Sequence, residues 1–295
     1  MDIRATAGGP IAVIIAIAAF ALPAPGLAAC SVHSGQKTAA LVELYTSEGC
    51  SSCPPADRAL GQLNRTLGPP AEVFALALHV DYWDAIGWKD PYAQGIFTER
   101  HRWLVQANHH TVVYTPHFFV SGTELSSRAE QLRDVVGRVN ATPAAAEIEL
   151  QAKLAPDGVL SLQASAKVLD RSDPTALYLA LAESGLVSKV TSGENGGTTL
   201  THDHVVRTWI GPIELGNGEA RAHRELALPA AANRLRLEVI AFVADERTGK
   251  VLQAVGTQAC PLIEAPISGA REHPAPGSQE PRISTVSNRS PAGNG

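Results

Sequence analysis

The sequence predicts an α/β domain followed by an all-β, sandwich-like domain. Three observations carry this expectation. Residues 41–57 run from an apolar strand through a turn into Cys50-Ser51-Ser52-Cys53 and a helix start. A second near-continuous apolar stretch, residues 72–80, follows that helix, and strand, helix, strand in this order makes a parallel crossover unit. From Thr142-Pro143 onward, short alternating apolar runs divided by turns replace the helical spacing. A length of 295 residues fits two domains with a core each.

Before the first domain, Arg4 precedes an apolar run over residues 11–22 that leads to Pro23, Pro25 and Gly26 and then Leu27-Ala28-Ala29-Cys30. A basic start, a short apolar core and small residues at the end form a secretory signal peptide pattern, expected over residues 1–29. The run falls short of the ~20 residues a membrane span needs, so no span is expected after cleavage. The predicted location is therefore periplasmic or secreted. Residues 27–30 also read as a lipoprotein signal, which would make Cys30 a lipid anchor and the protein membrane-anchored. The net charge of −5 carries no nucleic-acid footprint.

The α/β domain is expected over residues 38–141. Residues 38–45 form a buried strand ending at Ser47 and Gly49. Ser52 suits an N-cap, Pro54 and Pro55 suit a first helical turn, and Ala59, Leu60, Leu63 and Leu67 recur at helical spacing before Gly68-Pro69-Pro70 stops the helix. After the strand over 72–80, residues 81–91 place three aromatics and three carboxylates in a loop at a strand's C-terminal end, where open α/β sheets bind ligands. Residues 94–108 read as a helix, 117–120 as a strand, 121–123 as a hairpin turn and 125–139 as a closing helix.

The second domain, over 143–262, begins with alternating runs at 147–154 and 159–164 around an Asp157-Gly158 turn. Further strands are expected at 176–183, 205–210, 222–228, 235–244 and 251–257, and several strands with little helix argue for a sandwich. Residues 263–295 are rich in Pro, Ser and Gly with almost no apolar periodicity, which predicts a disordered tail.

The chemistry rests on the four cysteines, Cys30, Cys50, Cys53 and Cys260. An exported chain sits where disulfides persist, and four cysteines allow three connectivities. The near neighbours Cys50 and Cys53 are expected to pair, leaving Cys30 to bridge to Cys260 unless it is lipidated. A helix beginning at Cys53 places Cys50 where free N–H groups and the helix dipole favour the reactive thiolate. Cys50 is then the attacking sulfur and Cys53 the resolving one, and no cofactor is required.

Residues 41–57 together with His79-Val80-Asp81-Tyr82-Trp83-Asp84, Gly87-Trp88-Lys89-Asp90 and Val113-Tyr114-Thr115-Pro116 resemble the exported bacterial DUF1223 family. The resemblance covers residues 40–262 and implies an α/β thioredoxin-like domain followed by an all-β sandwich-like domain, without an established reaction. It implies a cis-proline at Pro116 facing the cysteines and a buried acid near Glu43, one position further from the cysteines than in thioredoxin-like enzymes. Gly49 replaces the aromatic that thioredoxin carries there, and Ser51-Ser52 replaces Gly-Pro.

The function expected is an exported thiol–disulfide oxidoreductase acting on protein thiols or disulfides. Cys50, Cys53, Pro116 and Glu43 are its catalytic candidates, with Thr115, His79, Asp81, Tyr82, Trp83, Asp84 and Trp88 as a substrate rim. Two alternatives stand beside it. One is a redox-silent interaction module with a structural disulfide. The other is a Cys/His metal-binding protein using His79, His101, His109, His110 or His117, although these lack a ligand spacing and no metal ligand is assigned. His202 and His204 read as solvated or hydrogen-bonded.

Overall fold

The computed structural model describes residues 29–125, 129–170, 174–260 and 262. The signal peptide expected over 1–29 lies, except for Ala29, outside these residues, as does the tail expected over 263–295. In chain order the elements are β1 (Ala29–His33), β2 (Ala40–Thr46), α1 (Pro54–Gly61), α2 (Leu63–Leu67), β3 (Val73–His79), α3 (Gly95–Ala107), β4 (His117–Val120), β5 (Thr123–Glu124) and α4 (Ala129–Ala141). There follow β6 (Ala146–Leu154), β7 (Val159–Val168), β8 (Thr175–Glu183), β9 (Leu186–Lys189), β10 (Thr199–His202), β11 (Val205–Glu214), β12 (Glu219–Ala227), β13 (Leu237–Asp245) and β14 (Val251–Gly256).

This architecture overturns the expected fold class of a thioredoxin-like α/β domain followed by a separate sandwich. Of the described residues, 43% are in strands against 21% in helices. Strands from both sides of residue 142 share one eight-stranded sheet, ordered β14-β13-β8-β11-β3-β2-β4-β5. The seam is β11, whose Val205 pairs in parallel with Ala77 of β3 while the rest of it runs antiparallel to β8, from Val205 opposite Glu183 to Glu214 opposite Ala176. The physical reason is edge pairing. β3 is apolar along its length, and an open edge there would leave a row of N–H and C=O groups unpaired. At the seam the Ala77 N–H donates to the His204 carbonyl at 2.8 Å.

A second sheet, β1-β6-β7-β12, packs on one face of the large sheet, with Leu150, Leu160 and Leu162 meeting Leu177, Leu179 and Val239. Further along that face, Leu60 and Leu63 of α1 and α2 and Val136 of α4 pack on Val42, Leu44 and Ala75. The opposite face is covered by α3, whose Phe97 and Leu104 join Tyr45, Leu76, Leu78 and Phe242. Each such fully buried side chain contributes about 1.5–3 kcal/mol. Cover on both faces explains why β8 and β13 are buried at every position, whereas β6, covered on one face, alternates.

Local departures from the sequence reading have simple causes. The helix expected to run on to Leu67 breaks at Gln62, giving α1 and α2, and the N-cap is Cys53 with no side-chain cap. β1 lies at the margin of the segment read as signal peptide and is held by pairing to β6. Cys30 of β1 is bonded to Cys260, with Cα atoms 5.5 Å apart. The ribbon of β9 and β10 was not expected, and it lies against α1, where Gly61 leaves no room for a Cβ beside Asp203. Among the described residues, no helix is long and apolar enough to cross a membrane.

Candidate functional site: a covered disulfide above a buried polar cluster

The parallel strands β2 and β3 end side by side, with Thr46 opposite His79. The turn leaving β2 carries Cys50, bonded to Cys53 at 2.08 Å, and α1 starts immediately after. Both sulfur-bearing residues are fully buried, so an incoming thiol does not reach them without movement of their cover. Two groups of residues account for the cover. Trp83 stands against Gly49, where an added Cβ would lie 3.3 Å from the Trp83 Cβ, and its Nε1 donates to Thr115 Oγ1 at 2.8 Å. The aromatic missing at position 49 is thus supplied by residue 83.

The second part of the cover comes from the segment between β9 and β10. The Asn195 side-chain amide donates to the carbonyls of Glu48, at 2.8 Å, and Cys50, at 3.0 Å. The Ser51 N–H donates to the Glu194 carboxylate at 2.9 Å, which holds that carboxyl below its ordinary pKa. Gly193 packs on Trp88, closing the arc.

Beneath the disulfide lies a buried cluster of ionisable side chains. Glu48 accepts from Trp88 Nε1 at 2.8 Å and lies 3.0 Å from His202 Nε2. The Glu48 N–H donates to Asp90 Oδ2 at 2.8 Å, and that oxygen also lies 2.7 Å from His79 Nδ1. Burial alone would depress His79, but the charge and hydrogen bond of Asp90 raise it above its ordinary pKa. Asp90, whose burial would raise it, is held below the usual carboxylate range by the same partner. Asp57, one turn along α1 from Cys53, is raised because it is buried. Its Oδ2 lies 4.0 Å from His202 Nδ1. Thr46 Oγ1, Asp57 Oδ1, His79 Nε2 and His202 Nδ1 have no hydrogen-bond partner, which is costly for buried polar atoms.

The structure brings together some of the expected site residues and separates others. Thr115 joins the cysteine turn through Trp83, and the Thr115–Pro116 bond is cis. Trp88 reaches Glu48. His79 is buried in the cluster instead of standing on a rim. Asp81 accepts from Thr98 Oγ1 at 2.6 Å, Asp84 accepts from the Asp90 N–H at 3.1 Å, and Tyr82 is half-buried with an unpaired hydroxyl. Glu43 faces α3 and pairs with Arg100. His101 and His117 contact each other on the α3 side, His117 next to Glu124. Among the described residues, no group of three or more His, Cys, Asp or Glu is arranged to hold a metal ion. Glu48, Asp90, Glu194 and Asn195 were not expected at the site, because their partners are distant in sequence.

Fold and site define a mostly β protein whose Cys-x-x-Cys ring lies between a polar cover and a buried polar cluster. The chain belongs to the DUF1223 family, described as proteins of unknown function, whose profile matches residues 41–244. Comparison with curated proteins finds no match. Two solved structures are similar in fold. HBP35 of Porphyromonas gingivalis has a TM-score of 0.60 at 18% identity, over 81% of this chain and 82% of that one. Protein AGR_C_4864 from Agrobacterium tumefaciens has a TM-score of 0.52 at 21% identity, over 80% of this chain and all of that one.

Proposed function

We propose that the protein is an exported thiol–disulfide oxidoreductase, periplasmic or secreted, that exchanges through Cys50 and Cys53 with protein thiols or disulfides. The observation that carries this reading is the placement of the Cys50–Cys53 ring. It closes the turn between β2 and α1, where the parallel strands β2 and β3 end side by side. Pro54 and Pro55 fill the first two positions of α1 and carry no N–H, so what favours a thiolate here once the bond opens is the positive end of the α1 dipole. Cys50 is the attacking sulfur in this reading, Cys53 resolves the mixed disulfide, and Trp83 and Thr115 stand beside them as substrate contacts.

Burial of both cysteines favours a second reading, a permanent bridge in an interaction module. Equilibration with dithiothreitol, read by alkylation of Cys50, separates the two. A potential above about −300 mV, with partners trapped as mixed disulfides by Cys53→Ser, supports exchange. A lower potential with no trapped partner supports the permanent bridge.

A further inference from the structure

The buried cluster places an ionisable group one helical turn from Cys53 and connects it to solvent. Asp57 follows Cys53 by four residues, its N–H donating to the Cys53 carbonyl at 3.1 Å, so both side chains project from the same side of α1. Asp57 is only 8% exposed, and Oδ1 has no partner. His202 spends Nε2 on Glu48, and its unpartnered Nδ1 is turned to Asp57 at 4.0 Å, a separation that one water spans. A cleft of about 160 Å³ lined by Pro54, Asp57, Arg58 and Thr199 to His202 opens at this point. A permanent bridge has no use for a carboxyl so placed, since a disulfide carries no proton. A disulfide that opens does, because its leaving sulfur is a buried anion that needs one.

We propose that Asp57 is the group that gives a proton to Cys53 when the disulfide opens and takes it back when the disulfide closes, with His202 positioning it and linking it to water in the cleft. This rests on the thiol–disulfide reading above. In the reducing direction a protein thiolate attacks Cys50 Sγ, forming a new S–S bond and breaking the bond to Cys53. The bonding pair leaves on Cys53 Sγ, the Asp57 carboxyl proton moves to that sulfur, and the carboxylate regains a proton from water in the cleft. In reverse, the Asp57 carboxylate removes the Cys53 proton as that sulfur attacks Cys50, and the partner leaves as a thiolate. Burial raises Asp57 towards the protonated state this exchange requires. The charged and titratable groups around it are His79 and Asp90, His202 and Glu48, and Arg58 at the cleft.

The test is the rate of reduction of the full-length oxidised protein by dithiothreitol across pH, for wild type, Asp57→Asn and His202→Asn. Asp57→Asn should be slower by about ten-fold or more, should lose one inflection of the wild-type profile, and Asp57→Glu should restore it in part. His202→Asn should move the inflection without removing it. The conservative Asp57→Glu variant is the check against misfolding. Profiles of Asp57→Asn that coincide with wild type in the folded variant overturn the proposal while leaving the oxidoreductase reading intact. A wild-type disulfide inert to dithiothreitol overturns both.

Discussion

The Arg100 guanidinium grips the Glu43 carboxylate, Nε lying 2.7 Å from one oxygen and a terminal nitrogen 3.3 Å from the other, with both side chains buried. The rings of Trp103, Tyr178, Trp209 and Phe242 surround the guanidinium with centroids 5.0–5.6 Å away. Burial would lower Arg100, but the Glu43 charge overrides it and holds the guanidinium fully charged. Glu43 is therefore engaged in holding α3 to the sheet. Arg100→Leu should cost about 3–5 kcal/mol in urea unfolding by stranding a buried carboxylate, and the double variant Glu43→Leu, Arg100→Leu should recover much of that. A single variant no worse than the double would contradict this account. Glu43→Gln should leave the Cys50–Cys53 potential unchanged.

Acid should destabilise the protein through His101. Burial first, then the charges of His117 and Arg102, lower its pKa from 6.5 to about 3. Below about pH 6.5 the unfolded chain takes up a proton that the folded chain refuses, so stability is fully present above that pH and falls towards about pH 3. At ~1.4 kcal/mol per unit the loss is on the order of 5 kcal/mol. His101→Phe keeps a ring against Tyr45, whose centroid lies 4.2 Å away, and should flatten the acid limb relative to wild type in urea unfolding at several pH values. Parallel limbs in the two proteins would assign the sensitivity to another group.

The cover over the disulfide should govern its accessibility. Asn195→Ala removes two hydrogen bonds to the turn carrying Cys50, each worth about 1 kcal/mol. Loosening by even one of them corresponds to a roughly five-fold gain in opening. Alkylation after mild reduction should therefore proceed several-fold faster in Asn195→Ala, and faster in Glu194→Ala as well. Rates equal to wild type in both would show that access runs by another route.

The Cys30–Cys260 bond joins residues 230 apart, closing most of the chain into a loop. On the loop-entropy model its loss costs ~5 kcal/mol. The double variant Cys30→Ser, Cys260→Ser should unfold at lower urea by that amount while the Cys50–Cys53 potential stays put. Peptide mapping of the oxidised wild type should recover residues 30 and 260 in one linked fragment, and a thioether lipid on Cys30 would refute the bridge.

The sequence made individual elements legible and their assembly much less so. Residues 72–80 read as a strand covered on both faces, and β3 is one. The same signal was present in Ala176 to Ala182 and Val239 to Ala244, which are continuously apolar where a sandwich strand would alternate. Assigning them to the all-β regime hid their membership of the large sheet. The seam itself leaves no local trace, because parallel pairing of Val205 with Ala77 depends on two edges 128 residues apart. At the site, the cysteine ring and Trp83 stood out by composition. Glu48 and Asp90 looked like ordinary loop carboxylates, since the side chains that bury them come from elsewhere. β9 and β10 are short and half exposed, with exposed and covered residues in alternation, so nothing in their composition set them apart from loop.

The order in which this chain is made follows from the seam. Cys50 and Cys53 are synthesised early, yet Glu194, Asn195, His202 and the β11 edge that closes β3 all arrive some 150 residues later. A nascent chain therefore holds bare cysteines and an unpaired apolar strand edge, and only the last third of the polypeptide buries both. The protein depends during biogenesis on being kept from other strands and other thiols until its own arrive.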